Sequence, residues 1–386
     1  MDKRCYVRAD QTIVLGNHIA CDGEAIGNID TGKGESGLII SHVHSDHFKE
    51  AKVNSSQSGM WKAPLIVSRG TKDLLIPGSG LNIERNQEVN VVEFNAEEPY
   101  KFEAKNGEEV KITLMDAGHM LGSSQIQIEE QDGTRYGYSG DFNGNLNDFI
   151  DVDILVLDAT NGVRPDTANW DEDEALKRLW DEVKTAHNQG KNTAICAASG
   201  LLQYVIADQA DYLDDVPMLL TYEYNVRLRK SLVKEYSKVY ASNKYKQPEI
   251  SSYVELQNSV EEEDQETFFN LQNMQKTILA HNTKKIVPPG GHTGPENFDG
   301  VLFEIKNFVR NNDKPIQKVS ENHFIISLSS HAIGDKILEY VKNVNPELVI
   351  TDSSRKDKCS VSLAKKIQDK LRIEAIPSSN LLKEGK

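Results

Sequence analysis

The chain is 386 residues long, 38% hydrophobic and 27% charged, with a formal net charge of −15 at pH 7. A single core rarely grows past ~250–300 residues, so about two domains are expected. The acidic balance excludes a protein that coats nucleic acid through a general excess of Lys and Arg; it still allows an enzyme in which divalent cations and one local basic face hold a few phosphates. No run of about 18 apolar residues occurs, so no membrane-spanning helix is expected. The opening Met1-Asp2-Lys3-Arg4-Cys5 has no apolar signal core. Cys5, Cys21, Cys196 and Cys359 lie far apart with no paired spacing. Together these predict a reduced, cytoplasmic protein without disulfides or a cysteine zinc knuckle.

Residues 1 to about 160 read as short strands separated by glycine and acidic turns. Strand patterns fall at Thr12-Ile13-Val14-Leu15, Leu38-Ile39-Ile40, Lys111-Ile112-Thr113-Leu114-Met115 and Gln125-Ile126-Gln127-Ile128. The wholly apolar Ile154-Leu155-Val156-Leu157 predicts a strand buried on both faces. From Trp170 the period changes, and Ala175, Leu176, Leu179, Trp180 and Val183 mark one face of a helix. Ala194-Ile195-Cys196-Ala197 is the next buried strand, and the acidic stretch 261–266 reads as a solvated turn or helix start. Near the end, Phe324-Ile325-Ile326-Ser327-Leu328 is a strand. A helical stripe follows at Ile333, Ile337, Val341 and Val344, then the strand Leu348-Val349-Ile350.

One hexapeptide dominates the chemistry. His42-Val43-His44-Ser45-Asp46-His47 follows an apolar strand and holds three of the ten histidines. Histidines at i and i+2 point the same way while the chain is extended, and Asp46 and His47 in the ensuing turn can reach a second position nearby. Imidazole and carboxylate together suit zinc, with manganese or iron as alternatives. Further ligands are expected at later strand ends: His119 in Asp116-Ala117-Gly118-His119, where the glycine permits a tight turn, and Asp141 in Ser139-Gly140-Asp141. His42, His44 and His119 would hold one cation, Asp46 and His47 the other, with Asp141 between. Asp22 ends an earlier strand and is expected to brace the ligand loop by hydrogen bonds rather than touch metal.

The order His-x-His-x-Asp-His, Gly-His, Ser-Gly-Asp resembles the metallo-β-lactamase fold. Ala117-Gly118-His119-Met120-Leu121-Gly122-Ser123-Ser124 and Tyr138-Ser139-Gly140-Asp141-Phe142 are similar, more narrowly, to the β-CASP nucleases. That group comprises RNA-processing enzymes of the cleavage-and-polyadenylation and ribonuclease J type, and DNA-acting relatives such as Artemis and the ligase-associated exonucleases. Leu155-Val156-Leu157-Asp158-Ala159-Thr160-Asn161-Gly162 resembles the family's acidic motif A, with Asp158 its acid. Ser327-Leu328-Ser329-Ser330-His331-Ala332 resembles motif B, with His331 its histidine. Pro288-Pro289-Gly290-Gly291-His292-Thr293-Gly294-Pro295 sits where the family has a glycine-rich cap loop.

The resemblance implies an α/β architecture: an αββα sandwich built from residues 1–165 and 322–386, with an α/β β-CASP cap at 166–321. It also implies two Zn2+ per chain, a cation-bridging hydroxide that hydrolyses phosphodiester bonds, and a single-stranded RNA substrate, with DNA as the alternative. Asp46, Asp158 and His331 become the catalytic candidates, His331 oriented by Asp158 to protonate the leaving oxygen. A small-ester, lactone or β-lactam hydrolase on the same fold is the second reading; such enzymes lack the cap and the motif A and B pair. One departure stands out. After Leu348-Val349-Ile350 the RNA-processing members carry a metal-binding histidine, motif C, whereas this chain reads Thr351-Asp352-Ser353-Ser354, leaving Asp352 as a substitute oxygen ligand.

For the strand itself, Arg227, Lys230, Lys234 and Lys238 form one helical stripe, and residues 221–246 carry seven Lys/Arg against two Asp/Glu. Tyr222, Tyr224 and Tyr245 are interleaved there as candidate base-stacking platforms. Gly290 and Gly291 offer backbone N–H groups to a phosphate. No membrane partner is expected, and a homodimer is left open.

Overall fold

The structure, a computed structural model, describes residues 4–23, 35–44, 46–47, 63–72, 88–120, 122–162, 172–191, 193–196, 219–222, 278–281, 300–306, 316–354 and 357–380. The chain divides into two compact units, one formed by Met1–Asn169 with His331–Lys386, the other by Trp170–Ser330.

In the first unit a six-stranded sheet runs in the order β1 (Cys5–Val7), β2 (Ile13–Leu15), β3 (Ile19–Cys21), β4 (Gly37–Ile40), β5 (Leu65–Ser68) and β6 (Val89–Val92). The second sheet draws β7 (Tyr100–Glu103), β8 (Glu109–Asp116), β9 (Ser124–Glu129), β10 (Arg135–Tyr138) and β11 (Ile154–Leu157) from the first half of the chain, and β18 (Leu348–Thr351) and β19 (Glu374–Pro377) from its end. Its order is β19-β18-β11-β10-β9-β8-β7. β10, β11, β18 and β19 are mutually parallel, with Tyr138 opposite Val156 and Leu157 opposite Thr351. β9 is antiparallel to both β8 and β10. The carboxyl ends of β8, β10, β11 and β18 therefore lie along one edge, where open α/β sheets gather functional loops.

The two sheets meet face to face. Ile13, Leu15, Ile19, Cys21, Ile39 and Ile66 of the first pack with Val110, Ile112, Leu114, Ile126, Ile128, Tyr136, Tyr138, Ile154 and Val156 of the second. Leu155 and Leu157 point the other way, into a cluster with Ile337, Val341 and Val344 of helix Asp335–Val344 and Leu363 and Ile367 of helix Asp357–Leu371. β11 is thus buried on both faces, as its unbroken apolar run predicts. Ile112→Ala should cost about 2–5 kcal/mol, the loss expected when a fully buried aliphatic leaves a cavity, because Ile112 has no exposed surface. A urea midpoint equal to that of the parent would show that the intersheet core is not packed as described.

The second unit has its own sheet, with β12 (Thr193–Cys196), β13 (Leu219–Tyr222), β14 (Ile278–His281), β15 (Val301–Lys306), β16 (Ile316–Ser320) and β17 (His323–Ser327) in the order β13-β14-β12-β15-β17-β16. Helix α1 (Glu172–Asn188) buries Ala175, Leu176, Leu179, Trp180 and Val183, the predicted stripe, against Ile195, Phe303, Phe324 and Ile326. The two further helices of the first unit, Asp335–Val344 and Asp357–Leu371, are α2 and α3. β17 differs from expectation: the sequence reading starts the returning segment at 322, yet this strand pairs in parallel with β15, Phe303 opposite Phe324, inside the second unit. Its alternating apolar residues find partners on β15 and α1 rather than in the sandwich. The stripe at Ile333 also begins early, since α2 starts at Asp335 after Gly334 with φ 56°. Among the described residues, no helix is long and apolar enough to cross a membrane.

Candidate metal centre

β4 is held in parallel between β3 and β5, so its chain emerges at Ser41 in extended form and His42 and His44 project together. Asp22, at the end of β3, holds this segment. It sits at φ 54°, and its carboxylate accepts the Ser41 N–H at 2.7 Å, the Ser41 hydroxyl at 2.6 Å and His47 Nδ1 at 2.7 Å. The Ser41 hydroxyl proton is thereby committed to Asp22, so Ser41 Oγ accepts from His42 Nδ1, 3.0 Å away. Both arrangements leave Nε2 of His42 and His47 facing inward, toward His44 Nδ1 and Asp141 Oδ2 respectively, and partners of this kind on Nδ1 fix ring orientation in metal sites.

From the second sheet comes His119, in the turn between β8 and β9. Gly118 takes φ 66°, the left-handed conformation the sequence anticipates there. Ser123 closes the turn, its hydroxyl accepting the N–H groups of His119 and Met120 at 3.0 and 3.2 Å. The Ser124 N–H donates to the Ser41 carbonyl at 3.0 Å and ties this turn to the β4 loop. Asp141 follows β10, and Asp158 follows β11.

These side chains converge. His44 Nδ1 lies 3.0 Å from His42 Nε2 and 3.1 Å from His119 Nε2. Asp141 Oδ2 lies 3.2 Å from His47 Nε2 and 3.7, 3.8 and 3.7 Å from Nε2 of His42, His119 and His331. His331 Nδ1 meets Asp158 Oδ2 at 2.8 Å. Two sets of converging donors result, His42-His44-His119-Asp141 and Asp141-Asp158-His331, sharing Asp141. Donors around a tetrahedral zinc at 2.0–2.1 Å stand about 3.3 Å apart, so the first set fits such an ion in both element type and spacing.

The electrostatics agree. Burial pushes His42 well below the usual histidine range and His44 down to about 4, keeping both imidazoles neutral at pH 7 with lone pairs available. For His47, burial opposes the charged ring, but the Asp141 and Asp22 carboxylates on its two nitrogens outweigh it and raise the pKa. Burial likewise opposes the Asp141 carboxylate, while His47 and His331 hold its pKa well down. A cation entering beside His47 must therefore displace a proton.

Asp46 and Asp352 stand apart from the two sets. Asp46 is exposed, and its charge is felt by His44. Asp352 lies at the end of β18, its N–H donating to Leu157 O, and both its carboxylate oxygens accept hydrogen bonds from Ser354 at 2.8 and 2.7 Å. Burial raises its pKa, and Asp158 raises it further. Arg227, Lys230, Lys234 and Lys238, Tyr224 and Tyr245, the 261–266 acidic stretch and the Pro288–Pro295 loop lie outside the described residues. Sequence reasoning passed over Ser41, whose hydroxyl bonds to Asp22 and His42, and Ser123 and Asn161, whose side chains bond to backbone groups and so leave no signal in spacing.

Asp22→Ala should weaken metal binding about 10–100-fold without abolishing it, the usual cost of removing a group that orients ligands. Chelator competition measures this. An unchanged affinity would mean that Ser41 and His47 hold their places without the carboxylate.

No family profile matches the chain. It is 26% identical over 216 residues to an RNase J-like protein of Methanocaldococcus jannaschii, covering 48% of this chain and 47% of that protein. A shorter stretch of 57 residues is 35% identical to an uncharacterized protein in the lig 3' region of Acidianus ambivalens, covering 14% of this chain and 41% of the other. The matches thus span less than half the length of these curated relatives. Among solved structures, a protein of unknown function from Enterococcus faecalis V583 matches with a TM-score of 0.52 at 10% identity, over 95% of this chain and 93% of that one. That likeness shows a shared fold alone. The RNase J-like relative supports the resemblance to the metallo-β-lactamase and β-CASP group.

Proposed function

We propose that the chain is a divalent-metal-dependent nuclease of the β-CASP type that hydrolyses phosphodiester bonds of single-stranded RNA, with zinc as its metal and DNA as the alternative substrate. The observation that carries this is Asp141: one buried carboxylate oxygen approached by Nε2 of four histidines, one of which, His331, belongs to a separate His331–Asp158 pair. His42, His44, His119 and Asp141 would hold one cation, and Asp141 and His47, with Asp46, a second beside it. When bound, such cations lower the pKa of a water and offset charge on phosphate oxygens. Asp158 orients His331 through Nδ1, and His331 Nε2, turned toward Asp141, gives a proton to the departing oxygen. A hydrolase of small esters needs no such second pair, and the compact unit inserted between Asn169 and His331 also favours a polymer substrate.

The deciding experiment incubates metal-loaded protein with matched end-labelled RNA and DNA strands and, separately, with small esters and β-lactams. RNA product ladders are expected. Hydrolysis of esters with both strands intact would overturn the nuclease reading. The basic stripe gives a finer check. Charge reversal at Lys230 and Lys234 should raise KM for long strands and flatten its salt dependence while barely affecting bis-nitrophenyl phosphate, because the stripe is proposed to contact the backbone away from the scissile bond and such contacts are screened by salt. Equal losses on both substrates would point to misfolding rather than lost strand contacts.

A further inference from the structure

The segment after β11 does more than supply Asp158. Asn161 is 4% exposed, and its side-chain amide donates to the backbone carbonyls of His331, at 3.4 Å, and Ala332, at 3.1 Å. The Ala332 N–H donates in turn to the carbonyl of Phe142, the residue after Asp141, at 2.6 Å. The backbone carrying His331 is therefore gripped from the β11 loop on one side and the β10 loop on the other, while its ring meets Asp158 at 2.8 Å.

The gripping loop is itself fixed. The Thr160 N–H donates to Asp158 Oδ1 at 2.8 Å, and the Gly162 N–H to the Ala159 carbonyl at 3.0 Å. Gly162 lies so close to α3 that a Cβ there would stand 2.5 Å from the Cys359 carbonyl oxygen and 2.9 Å from Leu363 Cβ. Only a residue without a side chain lets the loop seat at that depth.

His331 needs such a grip because it has no short covalent link to Asp158. The chain runs through residues 170–330 in the second unit before His331 opens the returning segment. A shift of about 1 Å in a reacting group can cost ~100-fold in rate. A carboxamide NH2 is well matched to the task, since it offers two donors and two carbonyls are waiting. An aspartate would turn lone pairs toward the same carbonyls.

The geometry assigns Asn161 as the positioning residue of His331: its amide, bonded to the His331 and Ala332 carbonyls, holds His331 Nε2 toward Asp141. The rate arm of the test rests on the nuclease reading, whereas the spectroscopic arm does not. With bis-nitrophenyl phosphate as substrate, Asn161→Ala should lower kcat about 10–100-fold, as removal of an orienting group does, with KM and bound metal unchanged. In a His331→Ala background the same substitution should change kcat less than about 2-fold, because residues acting as a unit are not additive. Asn161→Asp, of equal size but without the donors, should behave like the Ala variant. Equal fractional losses in both backgrounds, or full activity in Asn161→Asp, would overturn the assignment. The second arm follows the ring signals of 15N-labelled histidines in metal-loaded protein. Asn161→Ala should shift or broaden the Nδ1–H signal of His331 and leave those of His18 and His323 in place. An unmoved His331 signal overturns the assignment even if the parent protein cleaves no phosphodiester. Should Asn161→Ala fail to fold, Asn161→Ser, which retains a single donor, carries the same comparisons.

Discussion

His44→Ala is expected to abolish phosphodiester cleavage and to strip the tightly held cation from the protein. His44 Nδ1 lies within 3.1 Å of both His42 Nε2 and His119 Nε2, so it joins donors from the two sheets. Its loss leaves two imidazoles and Asp141 for an ion that prefers four ligands. Residues that merely orient ligands cost about 10–100-fold, so loss of a ligand itself should exceed about 100-fold in rate and in affinity. The pH dependence has a definite sign. Burial lowers the His44 pKa to about 4, so in the metal-free protein protons compete for this nitrogen only toward acid, and metal retention should fall as pH drops in that direction. Metal content by mass spectrometry, together with cleavage of labelled RNA, checks both claims. Full activity with unchanged metal would show that His44 is not a ligand.

How much of this was legible in the sequence follows from how local each feature is. The β11 run Ile154–Leu157 was readable because burial on both faces removes polar alternation, and the α1 stripe because five apolar residues share one helical face. The ligand loop was readable because so many donors fall in six residues. Strands of three or four residues, such as β1 at Cys5–Val7, carry too few side chains to set a period. β10, Arg135-Tyr136-Gly137-Tyr138, is expected only from its place ahead of Ser139-Gly140-Asp141, since it holds a glycine that a strand normally avoids; a Cβ there would press on Ile150 and Val152. The pairing of β11 with β18 joins Leu157 to Thr351, and nothing in either segment names the other. The place of β17 is hidden on the same ground, since its apolar pattern suits either sheet and only its partner β15 decides. Within the site, residue types announced the candidate donors, whereas Asn161 bonds to backbone carbonyls that every sequence possesses.

The second cation position should bind more weakly than the first, and metal titration of stripped protein should resolve two affinities with activity following the weaker. The first position has four donors already converged, His42, His44, His119 and Asp141. The second shares Asp141, and His47 there sits between two carboxylates that favour its protonated form, so binding must expel a proton. Asp46, the remaining expected ligand, is exposed and outside the converged set. Where the resembling RNA-processing enzymes carry a histidine, this chain has Asp352, whose two oxygens already accept hydrogen bonds from Ser354 and whose carboxyl is pushed up by burial. A carboxyl so engaged is a poor donor until Ser354 releases it. Asp352→His should therefore tighten the second site if the position faces it, and Asp352→Ala should weaken that site alone. If Asp352→Ala leaves the second affinity untouched, Asp352 serves only the Ser354 turn, the chain matches the DNA-acting relatives at this position, and DNA displaces RNA as the substrate to test first.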